Sequence, residues 1–307
     1  LAFALRFLVF GIVLFVLASH SILPKIASAN ELARANSCID IPRAFSSFSV
    51  PLAVGILITQ STAHWVFVIA SLSAFVALGA ALRMPRFPVA DRNHDSVIKR
   101  ILDGGAFVLK HELLLPIAFC AIFWNLGFSA LLVVMVPVLV NVYLLEPSTF
   151  GIALAAFRSA AIAGSWAAGR FSSRIAPNVI LLFGPGSSVL AAVVLLFMPT
   201  GGPVAAIYGS FFLLGFGPSM WLVTQNSVRQ LVTPGLLLGR VNAVIQTAIY
   251  GIRPVGALLG GAIVGATSPR TGLILVAVAY ACSFACALFT RLRTVKRYAD
   301  LQPVENA

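Results

Sequence analysis

The chain has 307 residues, 60% of them hydrophobic and only 10% charged, with a mean hydropathy of +0.99. A soluble domain keeps about a quarter of its residues charged, so this composition excludes a water-soluble globular protein and predicts an all-α polytopic membrane protein. The net charge of +12 would suggest nucleic acid as the partner of a soluble protein. Here it reflects Lys and Arg gathered in loops at a membrane surface, and no nucleic acid is expected.

A membrane-crossing helix needs roughly 20 apolar residues for ~30 Å of hydrocarbon. That rule predicts nine spans, at 1–19, 41–60, 64–83, 113–140, 149–169, 178–199, 203–225, 241–265 and 270–290. The first carries Arg6, which could snorkel to the membrane interface. After the third comes the only long polar segment, 84–112. Pro85, Pro88, Asp91, Arg92 and Asp95 make its first part a solvated linker. Val97, Ile98, Ile101, Leu102 and Val108 then recur at helical spacing beside Lys99, Arg100 and Lys110. That pattern predicts an amphipathic helix on the membrane surface.

The fourth span places Asn125 among Phe119, Phe123, Trp124 and Phe128. Such aromatics line a pocket for a bulky molecule or face lipid, and the sequence leaves both open. In the fifth, Arg158 shares a face with Ala161 and Ser165 in a helix whose small residues suit close packing. The seventh holds Gly215-Phe216-Gly217-Pro218, which predicts a kink. A basic loop from Arg229 to Arg240 leads into the eighth, where Gln246, Tyr250 and Arg253 form a polar stripe with Asn242. Gly256/Gly260 and Gly261/Gly265 have the four-residue spacing that lets helices approach closely.

The loops after spans one, three, five and seven, together with the tail, carry nearly all the Lys and Arg; Arg270 stands alone opposite them. The positive-inside rule makes the first set, and the C-terminus, cytoplasmic. Arg6, Arg158 and Arg253 lie within spans, where a charge costs a few kcal/mol on insertion scales. No Asp or Glu lies within any predicted span. The three arginines therefore either draw an anionic substrate into a central cavity or are satisfied by carbonyls, water or an acid elsewhere. The four cysteines lack CxxC spacing and the histidines are scattered, so no metal site is expected. With no P-loop, nucleophile elbow or HExxH, neither an enzyme nor a cofactor is expected.

Sliding the chain by 206 positions puts Leu32-x-Arg34-x-Asn36 on Leu238-x-Arg240-x-Asn242, Phe10-Gly11 on Phe216-Gly217 and Gly55 on Gly261. Loops fall on loops without a gap. Under that offset Arg253 pairs with Ser47, and Arg6 with Phe212, so neither charge is imposed by the repeat. The first three spans thus map onto the last three.

At these residues the chain resembles the major facilitator superfamily, and within it the drug:proton-antiporter-like branch that includes siderophore and macrolide exporters. Three places carry the resemblance: Leu23-Pro24 through Arg34 and Asn36; Gly239-Arg240 and Asn242 with Gly251-Ile252-Arg253-Pro254; and Gly169-Arg170-Phe171-Ser172-Ser173-Arg174. The last departs from the family pattern, with Ser173 where an acid is usual. The resemblance implies a fold of twelve helices, of which helices four to twelve are present. Parallel six-helix repeats then imply an intact protein of about 410 residues, with roughly 100 before residue 1. The implied division is 1–83 as the rest of the N-terminal bundle, 84–112 as the linker, 113–290 as the C-terminal bundle and 291–307 as a cytoplasmic tail.

The implied function is proton-coupled export of a small amphipathic drug or siderophore-like compound, with an anionic compound as the sharper reading, by a monomer in the bacterial inner membrane. Its partners are a small-molecule substrate, the lipid bilayer and the proton gradient. Arg158, Arg253, Asn125, Gln246, Tyr250 and Arg6 are the candidate substrate residues. A non-transporting truncated remnant or scaffold, and an importer on the same fold, are the alternatives.

Overall fold

The structure, a computed structural model, describes residues 27–29, 31–59, 96–172 and 174–301, with residues 23–24 and scattered positions between 68 and 83. The predicted span 1–19 with Arg6, the linker prolines and most of span 64–83 lie outside the described residues. Helix α1 is Leu32–Thr59 and α2 is Val97–Lys110. Six long helices follow: α3 Leu114–Val138, α4 Ser148–Phe171, α5 Pro177–Phe197, α6 Val204–Val232, α7 Gly235–Ala266 and α8 Pro269–Leu288. Each of these six is long and apolar enough to cross a membrane. A π-helical turn, Leu139–Tyr143, prolongs α3 beyond Pro137 and ends at Leu144 in the left-handed region.

Local chemistry sets where the helices start. α1 begins nine residues before the predicted span, where the Glu31 carboxylate reaches back to cap Ser28, one half of a capping box. The Ser28 hydroxyl donates to Glu31 Oε2 at 2.6 Å and the Ser28 N–H donates to it at 3.3 Å. These bonds stabilise the carboxylate and hold Glu31 below its ordinary pKa. α3 is capped by a different device: His111 Nδ1 accepts from the Leu113 and Leu114 N–H groups at 3.1 and 3.4 Å. α8 starts at Ser268, whose Oγ accepts from Thr271 N, with Pro269 in the first turn.

The predicted basic loop Arg229–Arg240 is almost entirely helical. α6 runs on to Val232, α7 starts at Gly235, and only Thr233 and Pro234 intervene. The polar residues read as loop are buried side chains on continuing helices. Asn226, Ser227, Arg229, Gln230 and Asn242 are each less than 5% exposed. Proline ends the ladder because it has no N–H to give.

α6 packs between α4 and α5, α8 joins α5 to α3, and α3 carries α7 on its outer side; α1 lies across α4 and α6. Glycines set the closest approaches. A Cβ at Gly215 would run into the Phe157 carbonyl of α4, and one at Gly217 into Ser187 of α5. The glycines of the expected kink at Gly215–Pro218 are thus spacers within a continuous helix. Gly256 and Gly260 seat α7 against Leu126 and Ala130 of α3, whereas Gly265 has nothing within 4 Å. The core has two apolar clusters. One, around Leu114, Val232, Val241 and Leu292, lies toward α2 and the tail; the other, around Tyr143, Leu195, Ile207 and Tyr280, lies at the far end. Central polar positions separate them.

Candidate functional site

A cavity of about 570 Å³ opens between α1, α3, α4, α6, α7 and the edge of α5. That volume suits a drug-sized molecule. Four arginines line it, each from a different helix: Arg43 of α1, Arg158 of α4, Arg229 of α6 and Arg253 of α7. No carboxylate lines it among the described residues.

Arg253 is held on two sides. Its Nε donates to Asn125 Oδ1 at 2.8 Å, and its guanidinium lies 5.2 Å from the Tyr250 ring centroid. Asn125 is oriented in turn, since its Nδ2 donates to the Ala121 carbonyl at 2.8 Å. The Asn125 oxygen therefore faces Arg253, and the terminal guanidinium nitrogens make no hydrogen bond among the described residues. A planar cation fixed through its Nε, with its fork open, suits bidentate capture of a carboxylate, phosphate or catecholate oxygen pair. Arg158 lies 5.7 Å from the Phe157 ring centroid and lines the cavity together with Ala161 and Ser165, its predicted face.

The wall between these cations is aromatic. Trp124 stacks on Phe128 and Phe128 on Phe157, each pair 5.0 Å apart, and Trp124 Nε1 donates to Ser188 Oγ at 2.9 Å. The aromatic set of the fourth predicted span is thus divided. Trp124 and Phe128 line the cavity, whereas Phe119 is 43% exposed and stacks on Phe123. Helical spacing explains the split, because residues 124 and 128 share a face that 119 and 123 do not share with Asn125.

Of the candidate substrate residues, Arg158, Arg253, Asn125, Gln246 and Tyr250 all line this one cavity, and Arg6 lies outside the described residues. Asn242 does not reach the cavity; it is 1% exposed inside the bundle. Arg43 and Arg229 were missed because each sits near a predicted span boundary, where a cation reads as a loop residue. The polar run Gln225-Asn226-Ser227 before Arg229 was the available signal, since an uninterrupted helix buries that run rather than solvating it.

Where the cavity meets α1, a second polar array joins α1 to α6. Asn36 Nδ2 donates to Ser227 Oγ at 3.0 Å and to Gln230 Oε1 at 2.7 Å. Arg229, 1% exposed, donates from Nη2 to Asn226 Oδ1 at 2.8 Å. Asp40 is 4% exposed, with no hydrogen-bond partner among the described residues, and the charges acting on it are Arg43 and Arg229. Gly169 closes the same seam, since a Cβ there would run into Ser37 Oγ of α1. The remaining loop-motif residues are peripheral. Arg34, Arg170 and Arg174 are exposed, Gly239 has nothing within 4 Å, and Arg240 pairs with Asp103 of α2 at 3.2 Å.

The profile of the Major Facilitator Superfamily matches residues 1–257. No curated protein matches the sequence.

Proposed function

The chain belongs to the major facilitator superfamily and is a membrane transporter, and from that premise we propose that it exports a small amphipathic anion by proton-driven alternating access. The observation that carries this reading is the charge balance of the cavity: four arginines, an aromatic wall and no carboxylate among the described residues. A lining with net positive charge in a low-dielectric cavity favours an anion over a neutral or cationic compound. The stacked Trp124, Phe128 and Phe157 rings suit a flat apolar body, so an aromatic compound with adjacent oxygen donors, such as a catecholate chelator, fits both features. The basic face bearing α2 and the tail is cytoplasmic in this reading.

The test is efflux from loaded cells of an anionic aromatic probe and of a cationic probe of similar size. Each charge-assisted hydrogen bond contributes about 1.5–3 kcal/mol, so Arg253→Ala should weaken apparent affinity for the anion roughly 10- to 100-fold. The cation should be unaffected. A protonophore should abolish anion efflux, and its failure to do so would remove the coupling claim alone. Normal anion efflux by the Arg158→Ala/Arg253→Ala double variant would sink the anionic-substrate reading. Gene-dependent accumulation of the probe instead of efflux would reverse the direction.

A further inference from the structure

A second and larger cavity, about 920 Å³, lies at the basic end, bounded by α2, the start of α7 and the tail. Its cations are Lys99, Lys110, Arg240, Arg291, Lys296 and Arg297. Two of its three acids are already matched: Asp103 by Arg240 at 3.2 Å and Glu112 by Arg291 at 2.8 Å. Lys110, Lys296 and Arg297 have no ion pair among the described residues, and Asp300 is the one remaining acid lining the cavity. The tail that brings Lys296 and Arg297 here is anchored. Leu292, Val295 and Tyr298 are buried, and Asn178 donates to the Val295 and Arg293 carbonyls, each at 2.9 Å. α2 is anchored as well, because Gly104 sits directly against Arg240 of α7.

The positive-inside rule accounts for cations on this face, but not for their convergence from three separate elements on one concave site. Nor does it account for the flank of α2. Lys99, Asp103, Phe107 and Lys110 share the face turned to the cavity. Roughly 120° around the helix, Ile101, Leu102 and Leu109 are 55%, 65% and 65% exposed. A cationic cavity edged by a bare aliphatic stripe matches one ligand chemistry, a phosphate ester carrying hydrocarbon chains. We propose that this cavity binds the headgroup of an anionic phospholipid, with its acyl chains along Ile101, Leu102 and Leu109. Because the cavity spans α2, α7 and the tail, a bound lipid would brace all three and couple membrane composition to transport. The site is separate from the central cavity and does not depend on the substrate assigned there.

The experiment measures binding of a short-chain phosphatidylglycerol to the purified chain, by native mass spectrometry and by thermal shift. Phosphatidylcholine, glycerol phosphate and inorganic phosphate are the comparison ligands. Phosphatidylglycerol should bind at least tenfold tighter than phosphatidylcholine. Each basic residue near an anionic surface contributes about fivefold, so Lys110→Gln/Lys296→Gln/Arg297→Gln should weaken phosphatidylglycerol at least about tenfold. Arg170→Gln/Arg174→Gln, exposed cations outside the cavity, should weaken it less than about threefold on the same scale. Leu102→Gln/Leu109→Gln should weaken the lipid and leave glycerol phosphate unchanged. Equal binding of the two lipids, or an equal loss in the Arg170/Arg174 control, would overturn the site. Glycerol phosphate binding as tightly as the lipid would overturn the lipid assignment in favour of a soluble anion.

Discussion

Arg253 owes its orientation to Asn125, which makes the Asn125 amide oxygen the most informative atom in the cavity. Asn125→Asp keeps the shape and the acceptor but places a fixed negative charge against Arg253. It should weaken efflux of an anionic probe about as much as Arg253→Ala, roughly 10- to 100-fold, and Asn125→Ala should do less harm. A rank order with Asn125→Ala worst would mean that Asn125 contacts the substrate itself. Asp40 and Arg229 invite a different measurement. Both are buried, they come from different helices, and their charges act on each other. Where two buried opposite charges compensate each other, losing one costs about 3–5 kcal/mol, whereas neutralising both can cost little. Asp40→Asn and Arg229→Met should each lower the melting temperature in detergent, and the double variant should lose clearly less than their sum. Additive losses would mean the two side chains are not coupled. The sequence made Arg158 and Arg253 visible because a charge in an apolar run needs a cause. Asp40 and Arg229 were invisible because burial at a helix end depends on what crosses it, and α1 crossing α6 is tertiary information.

His111 shows how much one residue can do for an element. Its imidazole accepts the first N–H groups of α3, a role open only to the neutral ring. Burial lowers its pKa below the ordinary 6.5, and the nearby Glu112 carboxylate only partly offsets this. The unfolded chain therefore binds the proton more readily than the folded one. This contribution to stability is complete above about pH 6.5 and is lost as the pH falls toward the folded value. The melting temperature should drop between pH 7.5 and 5.5, and His111→Asn should flatten that drop. An unchanged slope in the variant would assign the acid sensitivity to other groups. The α3–α7 contact offers a steric counterpart. Gly256→Val would force a side chain into the Leu126 carbonyl and should cost a few kcal/mol through overpacking, while Gly265→Val enters open space and should be silent in thermal unfolding. The two glycine pairs look alike in sequence because spacing fixes only the shared face, and which face meets α3 is set by packing. The starts of α1 and α7 were misplaced for a related reason. Apolar runs mark where a helix is greasy, whereas the Ser28–Glu31 contact and Pro234 mark where its hydrogen bonds begin.

At the scale of the whole molecule, the sequence made the membrane class and the helical fold legible because hydrophobic length is the dominant physical constraint in a bilayer. The repeat offset also has a physical echo: Leu32, Asn36, Leu238 and Asn242 are all buried, at 1%, 0%, 3% and 1% exposure. The closure at the basic end could not be read, because it depends on α1 meeting α4 and α6 through Gly169, Ser37, Asn36 and Gln230. If transport proceeds by rocking, this seam must part in every cycle. Ser227 is the natural reporter: it is fully buried, it accepts from Asn36, and it sits at the end of the cavity that Arg229 lines. With Cys38, Cys120, Cys282 and Cys286 replaced by alanine, Ser227→Cys should resist a polar maleimide in the resting protein. It should react several-fold faster during turnover with an anionic substrate. Adding Asn36→Leu, which removes its three hydrogen bonds to Ser227 and Gln230 of α6, should raise the resting rate toward the turnover rate, because opening then breaks fewer contacts. If Ser227→Cys labels equally fast at rest, during turnover and in the Asn36→Leu background, α1 and α6 do not separate, and transport by this chain must use another path.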